Sequence, residues 1–580
     1  MFKVKKETAS MLTRDGVRLD ADIYRPDAPG EFPVLLMRQP YGRAIASTVV
    51  YAHPTWYAAR GYIVIIQDVR GRGTSQGEFK LFTSEIEDGE DTVNWAATLS
   101  GSTGQVGMYG FSYQGMTQLY AAVTKPPALK TICPAMIGYD LYADWVYEGG
   151  AFCLQANVGW AIQLAAETAR LQEDATAYYT LYAASRNLPL YDCVPNVNEC
   201  LRKFAPNAFY HEWLEHSKPD EYWEQISPKR YLQDVDLPML HIGGWFDIYL
   251  RGTLHCYKDF AARSNYRQQL LVGPWVHLLW SRKVGAVDFG PDAANPVDSV
   301  QLRWFDQFLK GMDTGLLDEP PVRLFEMGSN QWRDFERWPE NNHKSCFLSS
   351  TGLASIRDDS GTLVLEEAET IQHSIPPLEK GETTIQNAFD VLVHDPWRPV
   401  PALGGHAAIP GGSFERSHID CRSDVLTYTT EPLAADLHIA GDVVAEVWCS
   451  ADKPSHDLCA VLSQVRPDGS VYNVTQGYLN VDVESIQPAL LRVQLQATCC
   501  KLPKGHALRL SLSAACFPAY PMNPATGSPL GSVDAKRLVV RHRLMDAQIV
   551  TLTVFCGSDQ PNGMLRDRPS QVLLPVVSPS

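Results

Sequence analysis

The chain has 580 residues, 66 of them Asp or Glu against 50 Lys or Arg, for a formal net charge of −16 at pH 7. At this length, with 45% hydrophobic residues, it can bury a large core and should divide into two or three domains. The acidic balance, with no basic run longer than residues 3–6, argues against nucleic acid or an anionic membrane as the main partner. Residues 1–14 carry no apolar signal region, and no apolar stretch is long enough to span a bilayer, so a soluble cytoplasmic protein is expected. The 13 cysteines include no CxxC pair; buried free thiols, as at Cys153, Cys449 and Cys459, fit better than disulfides or a zinc site. Cys499 and Cys500 should point to opposite faces of a strand, and the sequon Asn473-Val474-Thr475 should stay unused without a secretion signal.

Between residues 17 and 110, short apolar runs at 34–37, 62–67 and 106–109 alternate with helical patterns, the signature of a mostly parallel sheet covered by helices. The helix between the last two runs opens on Ser84 with Glu87 three residues on, a capping box, and carries Ile86, Gly89, Val93 and Ala96 along one face. After a further strand at 129–134, residues 139–229 are dominated by helix formers, such as 153–170, with no convincing strand. Strand and helix resume at 238–243, 250–262, 268–273 and 299–310, so the helical stretch is an insertion within one domain, placed to act as a lid. Beyond about residue 320 the text becomes alternating segments such as 492–496 and 508–512, with turns such as Pro467-Asp468-Gly469, which predicts a jelly-roll β-sandwich. The expected division is an α/β core over 1–138 and 230–340, a helical cap over 139–229 and the β-sandwich over 341–580. The Gly- and Pro-rich stretch 396–412 reads as a long ordered loop or a domain-crossing segment.

Chemistry concentrates at Val106-Gly107-Met108-Tyr109-Gly110-Phe111-Ser112-Tyr113-Gln114-Gly115, which runs strand, Gly-x-Ser turn, helix. That is the pattern of a nucleophile elbow: a strained turn lifts the Ser112 hydroxyl above the sheet edge and sets the Tyr113 amide, at a helix N-terminus, where an oxyanion would form. The motif departs from Gly-x-Ser-x-Gly, since Gln114 takes the second glycine's place and Gly115 follows it. A serine needs a base to become nucleophilic, and the base needs a carboxylate to hold its tautomer, in the chain order acid then histidine. Asp247 follows an apolar strand and two glycines, and His277 follows another strand ending in Gly273-Pro274; both lie at strand ends, where open α/β sheets place their sites. His241 falls within a strand and His255 on a predicted helix, so His277 is preferred as base. Tyr41, in Arg38-Gln39-Pro40-Tyr41-Gly42, offers a second oxyanion donor, although a turn aromatic packing at the surface accounts for it equally well. Residues 71–77 resemble a phosphate loop without its Gly-Lys-Ser/Thr ending and read as a structural turn; no His-Glu-x-x-His or calcium-loop series occurs, so no metal and no cofactor is required.

Several runs together resemble the cocaine esterase family of α/β-hydrolases, which also takes in α-amino acid ester hydrolases, cephalosporin acylases and X-Pro dipeptidyl-peptidases. They are Gly110-Phe111-Ser112-Tyr113-Gln114-Gly115, Gln67-Asp68-Val69-Arg70-Gly71 through Gly77-Glu78-Phe79, Pro40-Tyr41, Gly244-Trp245-Phe246-Asp247 and Gly273-Pro274-Trp275-Val276-His277. The likeness extends over essentially the whole chain. It implies an α/β-hydrolase core with an inserted helical cap and a C-terminal jelly roll, a triad of Ser112, Asp247 and His277, and an oxyanion hole of the Tyr41 hydroxyl and the Tyr113 amide. The glycine spacing after Ser112 is the family's own. The resemblance further implies an acyl pocket lined by Tyr41, Trp145, Trp160 and Tyr249, apolar and suited to a flat acyl group such as benzoyl. Its amino-acid-ester branch binds a substrate ammonium through clustered carboxylates; Asp144 matches one of these, but Tyr249 and Leu250 occupy the other two positions. A carboxylic ester hydrolase therefore ranks first, an α-amino acid ester hydrolase or acylase second, and a proline-specific peptidase third. The expected partner is a small-molecule ester, with a homo-oligomer left open. A rival view, an inert hydrolase half beside a sugar-binding jelly roll, is opposed by the complete set Ser112, Asp247 and His277.

Overall fold

The computed structural model describes residues 1–45, 47–190, 198–340, 343–365, 389–482, 487–527, 546–556 and 570–579. Its first half is built on one ten-stranded sheet. The strands are β1 (Val4–Leu12), β2 (Arg18–Pro26), β3 (Phe32–Gln39), β4 (Ile63–Asp68), β5 (Ser102–Phe111), β6 (Leu129–Ala135), β7 (Met239–Phe246), β8 (Gln268–Val276), β9 (Val322–Glu326) and β10 (Gln331–Phe335). They lie in the order β1-β2-β4-β3-β5-β6-β7-β8-β9-β10. Neighbours from β4 to β9 are parallel, and antiparallel pairings close both edges. Each apolar run expected as a strand matches one of β3 to β8, the runs 62–67 and 238–243 beginning one residue early. Their continuous apolar character follows from burial on both faces: Val34, Leu36, Ile63 and Ile65 enter one core, while Leu35, Met37, Val64 and Ile66 enter the other.

From β3 the chain crosses to β4 on one side, then returns to lay β5 against the other side of β3. The loops that leave β3 and β5 therefore diverge, and the crevice between them at the carboxyl ends of the strands is where such sheets take ligands. Helices α1 (Glu85–Ala97) and α2 (Tyr113–Ala122) cover the first face. Ser84 is the N-cap of α1 but makes no side-chain capping bond, so the expected capping box is not formed. Pairing with arginines draws the first-turn carboxylates inward instead: Glu85 accepts from Arg38 at 2.6 Å and Asp88 from Arg70 at 2.6 Å. Those two acids share the buried face with Gly89, Val93 and Ala96, and Ile86 is left half-buried.

The inserted cap comprises a π-helical turn (Tyr142–Val146), α3 (Leu154–Leu171), α4 (Ala175–Arg186) and short helices between residues 199 and 231. It also contains a small hairpin, Tyr147–Glu148 against Ala151–Phe152, which the expectation of an all-helical cap missed because two-residue strands leave no alternation to read. After the cap come α5 (Leu250–Arg263), between β7 and β8, and α6 (Val297–Lys310), which packs on the second face through Trp304 and Phe305. No helix among the described residues is long and apolar enough to cross a membrane.

Among the described residues the C-terminal region is mainly strands, an eleven-stranded sheet and a two-stranded pair, Leu437–Gly441 with Thr498–Leu502, beside one short helix, Ser417–Asp420. It docks on the end of β9 by backbone hydrogen bonds, Met327 N–H to the Cys499 carbonyl at 3.0 Å and Lys501 N–H to the Met327 carbonyl at 2.7 Å. Both faces of the Thr498–Leu502 strand are thereby covered, and Cys499 and Cys500 are both buried; Cys153, Cys449 and Cys459 are buried free thiols. The stretch 396–412 crosses to the cap, where His406 reaches Glu148 and the Ile409 amide reaches Gln155. Asn473 of the sequon is buried, donating to the Gly412 carbonyl at 3.0 Å and accepting from the Phe414 amide at 2.7 Å, so its amide nitrogen is already engaged.

Candidate active site

Ser112, Asp247 and His277 are each the first residue beyond a strand, β5, β7 and β8 respectively. Ser112 has φ 60° and ψ −128°, a sparsely populated conformation for a residue with a side chain, costing about 1–3 kcal/mol that the surroundings must sustain. Two glycines allow it. Gly110 has φ 141°, and a Cβ there would lie 2.5 Å from Gln114 Cβ; a Cβ on Gly115 would collide with the Ile137 side chain, where α2 presses on the chain leaving β6. The second glycine thus sits at 115 because the helix touches the sheet there, which gives the unusual spacing its physical reason. Buried glutamines lash the turn: Gln114 accepts from the Phe111 amide at 3.3 Å and donates to Gln39 at 3.2 Å and to Ser47, while Gln118 donates to the Gly110 carbonyl at 3.0 Å. The Tyr113 hydroxyl donates to Glu85 at 2.7 Å, and its ring stacks on Phe82 at 4.9 Å, fixing the start of α2. The Tyr113 amide belongs to the first turn, whose N–H groups have no acceptor within the helix.

Asp247 is fully buried and its Oδ1 lies 2.8 Å from His277 Nδ1, while His277 is 28% exposed. A buried carboxylate on Nδ1 selects the tautomer that leaves Nε2 with a lone pair, the state required of a general base. The imidazole packs edge-on against Tyr249 at 4.8 Å and beside Phe111, the neighbour of Ser112, at 5.4 Å. His241 is a core residue, bonded to Gln268 and pushed down to about 4 by burial, and His255 bonds Asp144 from α5.

The phenol of Tyr41, in the loop after β3, accepts a hydrogen bond from Trp160 Nε1 at 3.1 Å and interacts with the Ser112 hydroxyl. Burial pushes its pKa up to about 12, so it stays protonated and able to donate at neutral pH. The Tyr41 hydroxyl thus points between the cap and Ser112. From Trp160 a chain of ring contacts continues through Trp145 at 5.5 Å to Tyr249 at 4.3 Å and so to His277. Phe82 adds an edge to Trp145 at 5.9 Å, and Phe209 meets Trp160 at 5.2 Å. The structure therefore brings Tyr41, Trp160, Trp145 and Tyr249 together as one wall. Asp144 stands apart from it: its Oδ2 accepts from the Asp140 amide at 2.8 Å and pairs with His255 at 3.1 Å.

Three features escaped the sequence reading. The 71–77 turn, closed by Gly71 N–H to the Gln76 carbonyl at 2.9 Å, delivers a buried Arg72 whose guanidinium stacks on Phe79 and donates to the Leu164 carbonyl at 3.3 Å. Burial lowers its pKa to about 10, and its positive charge acts on Tyr41 and Tyr113. In the cap hairpin, Glu148 Oε2 accepts from Arg251 at 2.7 Å, His406 at 2.8 Å and Tyr520 at 2.5 Å, tying cap, α5 and C-terminal region together. Gln496 reaches from the C-terminal region to the Asp247 turn. No local pattern announces any of these, since each depends on a partner far away in the chain: Leu164 for Arg72, Arg251, His406 and Tyr520 for Glu148, and Asp247 for Gln496. Among the described residues no cluster of metal-ligating side chains occurs.

Residues 15–279 match the X-Pro dipeptidyl-peptidase (S15 family) and residues 314–536 match the X-Pro dipeptidyl-peptidase C-terminal non-catalytic domain. Among solved structures, an aminopeptidase from a marine sediment Thaumarchaeota archaeon superposes with TM-score 0.77 at 22% identity, over 100% of this chain and 97% of that one. An α-amino acid ester hydrolase superposes with TM-score 0.76 at 22% identity, over 99% and 97%. These two likenesses establish the fold. In sequence, the cocaine esterase of Rhodococcus sp. (strain MB1 Bresler) is 30% identical over 97% of this chain and 97% of its own. With that identity across nearly the whole of both proteins, the chain belongs to the cocaine esterase family of serine ester hydrolases.

Proposed function

We propose that the enzyme cleaves carboxylic esters through an acyl-enzyme on Ser112, with a preference for flat aromatic acyl groups such as benzoyl. In this reading His277 Nε2 takes the Ser112 proton as the oxygen attacks the ester carbonyl, and Asp247 stabilises the imidazolium that results. The developing oxyanion receives the Tyr41 hydroxyl and the Tyr113 amide; the proton then passes from His277 to the leaving alcohol. Water enters, gives its proton to His277, and releases the acid and the free serine by the same steps in reverse.

The observation that carries the acyl preference is the unbroken series of rings from Tyr41 through Trp160, Trp145 and Tyr249 to His277. A planar acyl group against such a wall gains offset or edge contacts of about 0.5–1.5 kcal/mol per ring beyond area burial. An amino-acyl group would bring an ammonium that needs paired carboxylates, and Asp144 already serves Asp140 and His255. Purified protein assayed with p-nitrophenyl benzoate, acetate and an amino-acyl ester tests both parts. Ser112→Ala should abolish turnover of all three, with a loss of about 10⁶-fold in kcat for a nucleophile that acts as one unit with its base; wild-type turnover by that variant sinks the mechanism. Comparable kcat/KM for the three esters sinks the acyl preference.

A further inference from the structure

We infer that Gln496, in the C-terminal region, is a positioning residue for the Asp247–His277 pair, an inference that rests on the triad proposed above. Gln496 is 2% exposed, and its carboxamide nitrogen donates to two backbone carbonyls, that of Trp245 at 2.9 Å and that of Asp247 at 3.0 Å. The two carbonyls bracket the turn in which Asp247 leaves β7. Only the amide nitrogen can face them, because a carboxamide oxygen in its place would oppose two acceptors. Gln496 is itself held: its N–H donates to the Gln476 carbonyl at 2.9 Å and its carbonyl accepts from Thr475 Oγ1 at 2.5 Å, both on the strand Val471–Asp482.

The Asp247 carboxylate does little to orient itself. Oδ1 bonds His277, and the buried Oδ2 has no hydrogen-bond partner among the described residues, so the direction of the side chain is inherited from its backbone. That backbone is fixed by the Asp247 N–H to the Gly244 carbonyl at 3.0 Å on one side and, on the other, at its carbonyl, by the Leu250 N–H at 3.2 Å together with the Gln496 clamp. The C-terminal region, whose family description is non-catalytic, would on this view hold the acid of the triad in place. Displacement of a catalytic group by about 1 Å costs on the order of 10²-fold in rate, which sets the expected scale.

The test uses the full-length enzyme and an aryl ester. Gln496→Met keeps length and removes both donors; it should lower kcat about 30- to 100-fold with KM within about threefold. Gln494→Met is the control for mere structural damage: Gln494 donates to the Val443 and Leu495 carbonyls in the same segment and does not touch the acid turn. It should leave kcat unchanged, whatever it does to Tm. In an Asp247→Asn background, Gln496→Met should add less than about threefold, since residues acting through one another do not combine independently. Should Gln496→Met not fold, Gln496→Asn, one methylene short of both carbonyls, is expected to show the same pattern. A crippled Asp247→Asn beside unaffected Gln496 variants, or a Gln496 effect that multiplies fully onto Asp247→Asn, overturns this inference alone. Wild-type turnover by Asp247→Asn overturns the triad and this inference with it.

Discussion

Ser112, Asp247 and His277 stand on the ends of hydrogen-bonded parallel strands, whereas Trp145 and Trp160 hang over them from a π-helical turn and a cap helix. On the sheet side, position is set by backbone: the β7–β8 ladder, the Ser112 N–H to the Ala135 carbonyl at 2.9 Å, and glycines that let chains approach. On the cap side, position is set by ring against ring and by the buried Glu148 node that ties the cap down. On the function proposed above, the difference separates two duties: bond-making chemistry for the floor, acyl selection for the roof. Substitutions in the floor should slow every ester alike, while those in the roof should change which ester is preferred.

Tyr41 is the sharpest test of that division, because it rises from the floor after β3 yet bonds the roof residue Trp160. Tyr41→Phe keeps the ring and its packing and removes the hydroxyl. If the phenol serves the oxyanion, kcat should fall about 10²-fold or more for benzoyl and acetyl esters equally, with little change in KM, as the loss of one oxyanion donor does elsewhere. A loss confined to the benzoyl ester would move Tyr41 to the roof and break the division as drawn.

The floor was the more legible half. Alternating and continuous apolar runs, glycine pairs and the order serine, acid, histidine are local patterns, and they located β3 to β8 and the strand ends after which Ser112, Asp247 and His277 lie. Where local reasoning failed, a long-range partner had overridden it. Ser84 followed by Glu87 reads as a capping box, but Arg38 and Arg70 pull Glu85 and Asp88 inward and set the face of α1. Residues 492–496 read as an even strand, yet the strand ends at Gln494 and Gln496 turns to serve Asp247. Tyr41 was undecided from its own turn because Trp160, which bonds its hydroxyl, is 119 residues away. The pairing of aromatic rings in the cap is likewise a matter of packing, which single-sequence periodicity does not encode.

Trp145 offers a smaller and more selective effect. Its buried ring contacts Phe82, Trp160 and Tyr249. Trp145→Leu retains an apolar side chain and deletes the aromatic face, so the ratio of kcat/KM for benzoyl to acetyl esters should drop about tenfold, the equivalent of about 1.4 kcal/mol of aromatic contact. The acetyl rate should change by less than about threefold. Equal losses for both esters would show that the ring props up the floor rather than selecting the acyl group.

Glu148 should affect activity least at neutral pH, and its signature is in stability. Burial opposes its ionisation, but Arg251 and His406 outweigh that and hold its pKa at about 2, against 4.5 for an ordinary glutamate. Glu148→Gln keeps volume and an acceptor but leaves Arg251 without its counter-charge; breaking a buried pair in this way costs about 3–5 kcal/mol, enough to lower Tm by several degrees. Because the folded pKa is depressed, the native state binds its proton later than the unfolded chain does, and the carboxylate's contribution is complete above about 4.5. It is lost as pH falls from there through about 2. The gap in Tm between wild type and Glu148→Gln should therefore be fully open at about pH 5 and close as pH falls below 4.5. Thermal melts across that range decide it. A gap that widened in acid would mean the carboxylate is held in its protonated form, and that the cap is joined to the C-terminal region by hydrogen bonds alone.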